Sequence, residues 1–430
     1  MDRTHYIADA KKMGGKKVKI AGWVHDFRDL GKLKFVLVRD ITGIMQVTAK
    51  KGVVDDKLLA ITVNKEDVVS FEGEIKENKM APDGVEMIPG SFQHLNKVGL
   101  KLPVDPTGVV ESELDTRLDH RYLDLRRKES SLIFKVKSLC AREFREKLRS
   151  IGFVEVHPSA ITGAATEGGA DVFPIQYFEN KAYLVQSPQL YKQMAVIGGF
   201  DRATMIVPVF RAEKHNTTTH LNEVTQMDIE MGFADHHDVM DVLEQVTLHI
   251  LKRVKEEFGD EIKEVFKKEV VVPEKVPRYT YSDLVKKLHS NGFEMKHGWD
   301  FTREAEKKLE EVLGDELYFV YDWPTEIRAF YSMPDEKDES ICHAFDLIYR
   351  GLEISSGAKR IHIPELLEKQ LEKRGLDPYN FKFYIDAFRM GAPPHSGWSI
   401  GLERLVMKIC SQDNIRECMM FPRDRTRLMP

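Results

Sequence analysis

Apolar positions recur at period two along the first hundred residues. Val18, Ile20, Gly22 and Val24 alternate with Lys19, Ala21 and Trp23, and apolar runs follow at 35–38, 44–47, 68–75 and 85–88. Turns at Thr42-Gly43 and Pro82-Asp83-Gly84 separate them. Several short strands punctuated by glycine predict a small barrel or sandwich. With a helical stretch near 55–61, a five-stranded OB barrel over 1–102 fits best. Residues 103–128 read as a hinge, carrying Pro103, Asp105-Pro106 and a charged stretch from Asp115 to Arg127. The period then changes. Leu132, Ile133, Val136, Leu139, Cys140, Phe144 and Leu148 recur at helical spacing. They predict a long helix, capped by Ser130 or Ser131 and stopped by Gly152. Residues 236–270 and 301–313 are charged and amphipathic and predict surface helices. Strands and helices are mixed across 129–430, an α+β pattern.

Composition narrows the class. A chain of 430 residues exceeds one ordinary core and predicts two or three domains. It holds no apolar run of membrane-spanning length. Met1-Asp2-Arg3-Thr4-His5 leads into no apolar stretch, so no secretory signal is expected. The four cysteines, Cys140, Cys342, Cys410 and Cys418, form no C-x-x-C pair. That argues against a disulfide scaffold or a four-cysteine zinc site and for a reducing, cytoplasmic compartment. The net charge of −5 alone speaks against a nucleic-acid partner. Its distribution does not: residues 1–100 hold 17 Lys+Arg against 14 Asp+Glu, a net +3, which leaves −8 for the rest. Phosphate binding depends on where cations lie more than on their sum.

Four segments carry candidate chemistry. In the first, Phe210-Arg211-Ala212-Glu213 precedes a polar loop and the alternating run 221–233. Gln226, Asp228 and Glu230 share one strand face, with Met227, Ile229 and Met231 on the other. A solvated sheet face is one reading. A grip on an anionic ligand is the other, because Arg211 and Glu213 flank the same hairpin. In the second, Glu353 and Ser356 offer oxygens to a hard cation such as Mg²⁺, although a Glu and a Ser so spaced are usually structural. In the third, Gly401-Leu402-Glu403-Arg404 opens an apolar helix and sets an arginine near exposed N–H groups, a phosphate contact or an ordinary surface pair. The fourth joins Thr166-Glu167-Gly168-Gly169, a loop bearing an acid, to Ser187-Pro188-Gln189-Leu190-Tyr191-Lys192. Here Lys192 alone reads as a snorkelling lysine. His236-His237 and His362 lack metal-ligand spacing and read as satisfied or surface histidines. No G-x-x-x-x-G-K-[ST] occurs, which sets aside P-loop ATPases.

Together these segments resemble class II aminoacyl-tRNA synthetases, specifically aspartyl-tRNA synthetases of the archaeal and eukaryotic type. Gly152 to Ile161 looks like motif 1, Phe210 to Phe233 like motif 2 and Gly401 to Arg404 like motif 3. Gln189-Leu190-Tyr191-Lys192, Glu353-Ile354-Ser355-Ser356-Gly357, Arg360 and Phe421-Pro422-Arg423-Asp424 add to the match, which spans the chain in order. The resemblance implies an anticodon-binding OB barrel, a hinge and a catalytic domain built on an antiparallel sheet flanked by helices, dimerising through motif 1. It implies ATP-dependent activation of L-aspartate and transfer to tRNA, with Mg²⁺. No catalytic Ser or Cys is needed, because the aspartate α-carboxylate is the nucleophile; positive charge on the phosphates is.

By similarity, Arg211 holds the α-phosphate and substrate carboxylate, and His220 and Arg404 face the γ-phosphate. Glu213 meets the adenine side, with Leu221, Gly401 and Glu403 in the ATP site. Glu353 and Ser356 hold Mg²⁺. Lys192 and Arg360 receive the substrate side chain, and Asp228 its ammonium, beside Ser187, Gln189 and Ser356. Glu167 closes over the amino acid. In the barrel, Phe35 stacks on an anticodon base, where its reading without the resemblance is a core residue, and Arg28, Gln46 and Glu86 match positions that touch base edges. Discriminating archaeal enzymes carry Trp and Lys where this chain has His25 and Pro82, which resembles the relaxed enzymes that aspartylate both tRNA(Asp) and tRNA(Asn). Thr219 replaces the arginine usual before the motif 2 histidine. The rival readings are a discriminating aspartyl enzyme and an asparaginyl-tRNA synthetase, which Lys192 disfavours.

Overall fold

The computed structural model describes residues 2–163 and 172–429. The chain divides into two compact units, 1–127 and 128–430.

In the first unit the period-two pattern becomes a closed five-stranded barrel. Its strands are β1 (Lys17–Asp29), β2 (Leu33–Asp40), β3 (Gly43–Lys50), β4 (Val68–Glu77) and β5 (Val85–Asn96), in the order β1-β2-β3-β5-β4. Closure removes free sheet edges. Val18, Ile20, Val24, Val36, Val38, Val47, Val69 and Phe71 fill the interior. Their strand neighbours at odd register face outward. Glycine is required where strands crowd: a Cβ at Gly22 would stand 2.2 Å from the Arg39 carbonyl oxygen. The segment read as a hinge is folded within this unit, with short helices at Leu114–Asp119 and Arg121–Asp124.

The second unit is built on one eight-stranded sheet. Its strands are β6 (Val154–Glu155), β7 (Arg202–Phe210), β8 (Glu223–Gly232), β9 (Arg278–Thr280), β10 (Leu317–Pro324), β11 (Ile341–Tyr349), β12 (Glu353–Lys359) and β13 (His395–Gly401). The spatial order is β9-β10-β11-β12-β13-β8-β7-β6. The sheet is mixed, which corrects the expectation of an antiparallel one. The six inner strands are antiparallel, whereas β6 and β9 lie parallel to their neighbours. These edge strands, two and three residues long, are too short for a legible period.

Five helices matter here: α1 (Lys128–Ser150), α2 (Gln189–Ile197), α3 (His236–Phe266), α4 (Arg303–Leu313) and α5 (Leu402–Ile409). Helix α1 starts ahead of both candidate cap serines, and Ser130 is buried in its first turn. Gly152, at φ +88°, turns the chain after it. Helix α3 is capped by Asp235 and Asp238 in a reciprocal box. It is a surface helix on one side only, because Val239, Leu243, Val246, Ile250 and Val254 are fully buried. Helices α1, α3 and α5 cover one sheet face over Met227, Ile229, Phe345, Leu347, Trp398 and Ile400. The opposite face carries the polar row. Asp228 pairs with Ser399, Ser399 with Ser356 and Ser356 with Asp346. Residues directly opposite in register share a face, so one polar line crosses four strands. No helix among the described residues is long and apolar enough to cross a membrane.

Candidate active site

A cleft of about 130 Å³ opens over this polar face. It is lined by Arg211, Glu213, His220, Leu221, Glu353, Ser356, Gly401, Glu403 and Arg404, so residues nearly two hundred positions apart in sequence share one site. The hairpin after β7 is shaped by Asn222, whose side-chain amide donates to the carbonyls of Arg211 (2.9 Å) and Glu213 (3.3 Å). Arg211 Nε is buried without a hydrogen-bond partner among the described residues. Such a group is costly to leave unpaired and fits an anionic ligand.

Arg404 is fixed more tightly. It donates to the Glu353 carbonyl (3.1 Å), the Thr219 carbonyl (3.4 Å) and His220 Nε2 (3.1 Å). Burial, and then the Arg404 charge, lower the His220 pKa. A neutral His220 therefore accepts from Arg404 instead of repelling it. Thr219 stands in for the expected arginine, holding Arg404 through its carbonyl and lying 3.2 Å from His220 Nδ1 through its hydroxyl. Glu403 lines the cleft, but both carboxylate oxygens are engaged: Lys137 Nζ donates to one (2.7 Å) and the Thr225 N–H to the other (2.9 Å). It anchors α5 to α1 and β8.

Beyond Ser399, which bonds Asp228 Oδ2 at 3.2 Å, lies a buried charge cluster. Lys192 is 1% exposed, so the snorkelling reading fails. Its ammonium donates to Asp228 Oδ1 (2.8 Å) and the Trp398 carbonyl (3.1 Å), and lies 3.6 Å from Glu230. Arg360 donates to Glu230 (2.9 Å) and the Gly397 carbonyl (2.9 Å). Two cations thus balance two acids in a buried site. Burial raises the Asp228 pKa despite Lys192, whereas Arg360 and Lys192 outweigh burial at Glu230 and lower it. A Cβ at Gly397 would stand 2.1 Å from Glu230 Oε2, so only glycine leaves that carboxylate its place. Ser187 Oγ accepts from the Gln189 N–H (3.0 Å), and the Gln189 amide donates to Gln193 (2.9 Å). Glu167 lies outside the described residues.

A second group of acids surrounds Glu353. Asp346 is 2% exposed, contacts Arg328 through Oδ2 and leaves Oδ1 without a hydrogen-bond partner among the described residues. Burial, with the Glu353 charge, pushes Asp346 up to about 7, against the pull of Arg328. Burial and the same Glu353 charge push Glu306, on α4, up to about 8. Crowded, under-compensated carboxylates beside Ser356 suit a hard cation with oxygen ligands. The folded protein binds the Glu306 proton more tightly than the unfolded chain does. The stability this contributes is complete below the ordinary value of 4.5 and is lost as pH rises towards 8. Glu306→Gln keeps the neutral form at every pH. Its Tm advantage over wild type, measured free of divalent ions, is therefore expected to grow from pH 4.5 to pH 8; a constant difference would refute the assignment.

On the barrel, Arg28 pairs with Phe35 and Phe35 with Thr48, a row on the outer surface. Phe35 is half-buried there and is no part of the interior, which sets aside its reading as a core residue. Gln46 pairs with Glu86 across β3 and β5 and donates to it at 3.1 Å. His25 falls at a bulge in β1, and bulges re-aim side chains. Its Nδ1 meets Arg39 at 3.0 Å, and burial followed by the Arg39 charge lowers its pKa. Pro82 is exposed in the turn before β5.

Sequence reasoning gave no role to Asn222, Asp346, Arg328 or Ser399. Asp346 and Ser399 occupied alternating positions in strands whose register was unknown, and Arg328 follows β10 with no local pattern.

Comparisons with known proteins agree with this geometry. Residues 113–425 match the family model of class II tRNA synthetases (D, K and N), and residues 18–95 match that of the OB-fold nucleic acid binding domain. The aspartate–tRNA(Asp/Asn) ligase of Methanocaldococcus jannaschii is 48% identical, covering 100% of this chain and 98% of the relative. That of Methanopyrus kandleri is 47% identical, covering 99% of each. Among solved structures, the asparaginyl-tRNA synthetase of Pyrococcus horikoshii with asparaginyl-adenylate superposes with TM-score 0.94 at 33% identity over all of both chains. The aspartyl-tRNA synthetase of Entamoeba histolytica gives 0.88 at 32% identity over 99% of this chain and 92% of that one. With its OB barrel and its motif residues gathered in one cleft, the chain belongs to the class II tRNA synthetases of the D, K and N group.

Proposed function

We propose that the chain activates L-aspartate with ATP to aspartyl-adenylate and transfers it to the terminal ribose 3′-hydroxyl of both tRNA(Asp) and tRNA(Asn), acting in the cytoplasm as a dimer of identical chains. The observation that carries the choice of amino acid is the buried Lys192 ammonium, set against Asp228 and beside Arg360 and Glu230. A neutral amide gives that cation nothing it lacks, whereas a substrate side-chain carboxylate adds a third anion to two cations while Asp228 turns to the substrate ammonium. The names of the two curated relatives support the same choice.

Activation needs an in-line attack of the α-carboxylate on the α-phosphate. Arg211 would neutralise the charge on both, through the guanidinium that has an unpaired buried Nε. Arg404, held by His220, would meet the far phosphates, and Glu213, at the hairpin, the adenine side. Glu353, Ser356 and Asp346 have the oxygen donors and the unbalanced charge to hold Mg²⁺, which would supply charge neutralisation on the phosphates. Dimerisation through motif 1 is supported by Val154 and Ile161, apolar yet substantially exposed beside the edge strand β6.

The relaxed tRNA choice rests on His25 and Pro82, carried on the same barrel as Arg28, Phe35, Gln46 and Glu86. Aspartylation of the two transcripts is expected to proceed with kcat/KM within about tenfold of each other. Strict preference for tRNA(Asp), on the order of a hundredfold or more, would overturn this reading. Replacing both residues, His25→Trp with Pro82→Lys, is expected to depress tRNA(Asn) charging selectively.

A further inference from the structure

On the sheet face away from the cleft, three side chains meet that the proposed reaction does not use. His343 lies on β11 between Cys342 and Ala344, so it shares the α3 face with Phe345 and Leu347. His236 is the first residue of α3. The two imidazoles stack with centroids 4.6 Å apart and planes 11° from parallel. Asp322, between Tyr321 and Trp323 on β10, stands opposite two residues of β11, His343 and Ala344, at a shift of register, and its Oδ1 lies 3.7 Å from His343 Nδ1. One donor atom from each of His236, Asp322 and His343 lies within 4.8 Å of the others.

Three independent observations mark this cluster. The backbone of Asp322 sits at φ +56°, a conformation that costs an L-residue energy and persists where surroundings or function demand it. His236 is 7% exposed, yet its Nδ1 has no hydrogen-bond partner among the described residues, and neither has Nδ1 of His343. Buried ring nitrogens left unpaired are expensive. The surrounding charge also favours a cation. Asp322, Asp235 and Asp335 add negative charge around it, the last with Oδ2 3.6 Å from His343 Nε2.

Two imidazoles and one carboxylate form a donor set for borderline transition ions such as Zn²⁺ and Co²⁺ rather than for Mg²⁺. We propose that His236, Asp322 and His343 bind one such ion, with water in the fourth position held by Asp335. An ion must lie in the plane of each ring it joins, and near-parallel stacked rings share no such point. Binding therefore turns one ring, that of the more exposed His343, out of the stack. The ion would clasp the start of α3 to β10 and β11. Sequence inspection passed over these histidines because His236 and His343 stand about a hundred residues apart, with no ligand spacing between them.

The test uses the untagged full-length chain in excess Mg²⁺, which occupies hard-oxygen sites, titrated with Zn²⁺ or Co²⁺. Expected are one equivalent bound per chain, a visible tetrahedral Co²⁺ absorption without thiolate charge transfer, and a raised Tm. Asp322→Asn, which tolerates positive φ, and His343→Gln should each weaken binding about tenfold or more while leaving aspartate-dependent pyrophosphate exchange unchanged. Absence of stoichiometric binding to the wild-type chain overturns the proposal. So does binding undiminished in both variants.

Discussion

Replacing Lys192 by leucine is expected to abolish aspartate-dependent pyrophosphate exchange. The ammonium is buried, donates to Asp228 and the Trp398 carbonyl, and lies within ion-pair distance of Glu230. Leucine fills similar volume but leaves one cation, Arg360, facing two buried acids. Removing one partner from a buried pair costs about 3–5 kcal/mol, and here the loss falls on the site meant for a third carboxylate. Loss of a desolvated charge contact to the substrate costs a comparable amount in binding, on the order of a hundred- to a thousandfold or more in kcat/KM for aspartate. ATP binding should change little, because Arg211, His220 and Arg404 line the cleft without touching Lys192. Exchange assays at saturating ATP, with circular dichroism to confirm folding, decide the matter. Near-normal exchange would mean that the cation recognising aspartate lies elsewhere, and the asparaginyl reading would return.

The alternating positions of β8 announced both faces correctly: Met227 and Ile229 are core, and Asp228 and Glu230 are polar. Period alone could not tell a solvated polar face from a buried one. That distinction depends on which strands flank β8 and on Lys192 reaching it from α2, neither of which leaves a local trace. Glu403 and Arg404 show the same limit from the other side. The resemblance put both in the ATP site, and both line the cleft, but what holds Glu403 there, Lys137 and the Thr225 N–H, are contacts made across the fold. The barrel was legible because its strands alternate over eight or more residues, whereas the two short edge strands of the large sheet were not. Bulges defeat sequence reading altogether. They shift the register by one residue at His25 and opposite Asp322, and so redirect the side chains that matter there.

Arg211→Lys is the harsher test of the activation step, because it keeps the charge and removes only its geometry. Arg211 enters the cleft from the end of β7 on a hairpin clamped by Asn222, with its backbone N–H donating to the Asn222 carbonyl at 2.9 Å. The backbone that carries the side chain is set before substrate arrives, so little reorganisation is needed as charge builds on the α-phosphate. A planar fork can bind a carboxylate oxygen and a phosphate oxygen at once; an ammonium at the end of a shorter, rotating stem is a point charge that must choose. Contacts that strengthen only as the α-phosphate becomes five-coordinate affect kcat more than KM. Loss of one such preorganised donor typically costs about 3–4 kcal/mol, so kcat for exchange is expected to fall on the order of a hundred- to a thousandfold, with KM for ATP changed severalfold at most. A decrease confined to KM would show that Arg211 grips the substrate equally in both states. Charge development on the phosphate would then have to be met by Arg404 and the acidic-site cation alone.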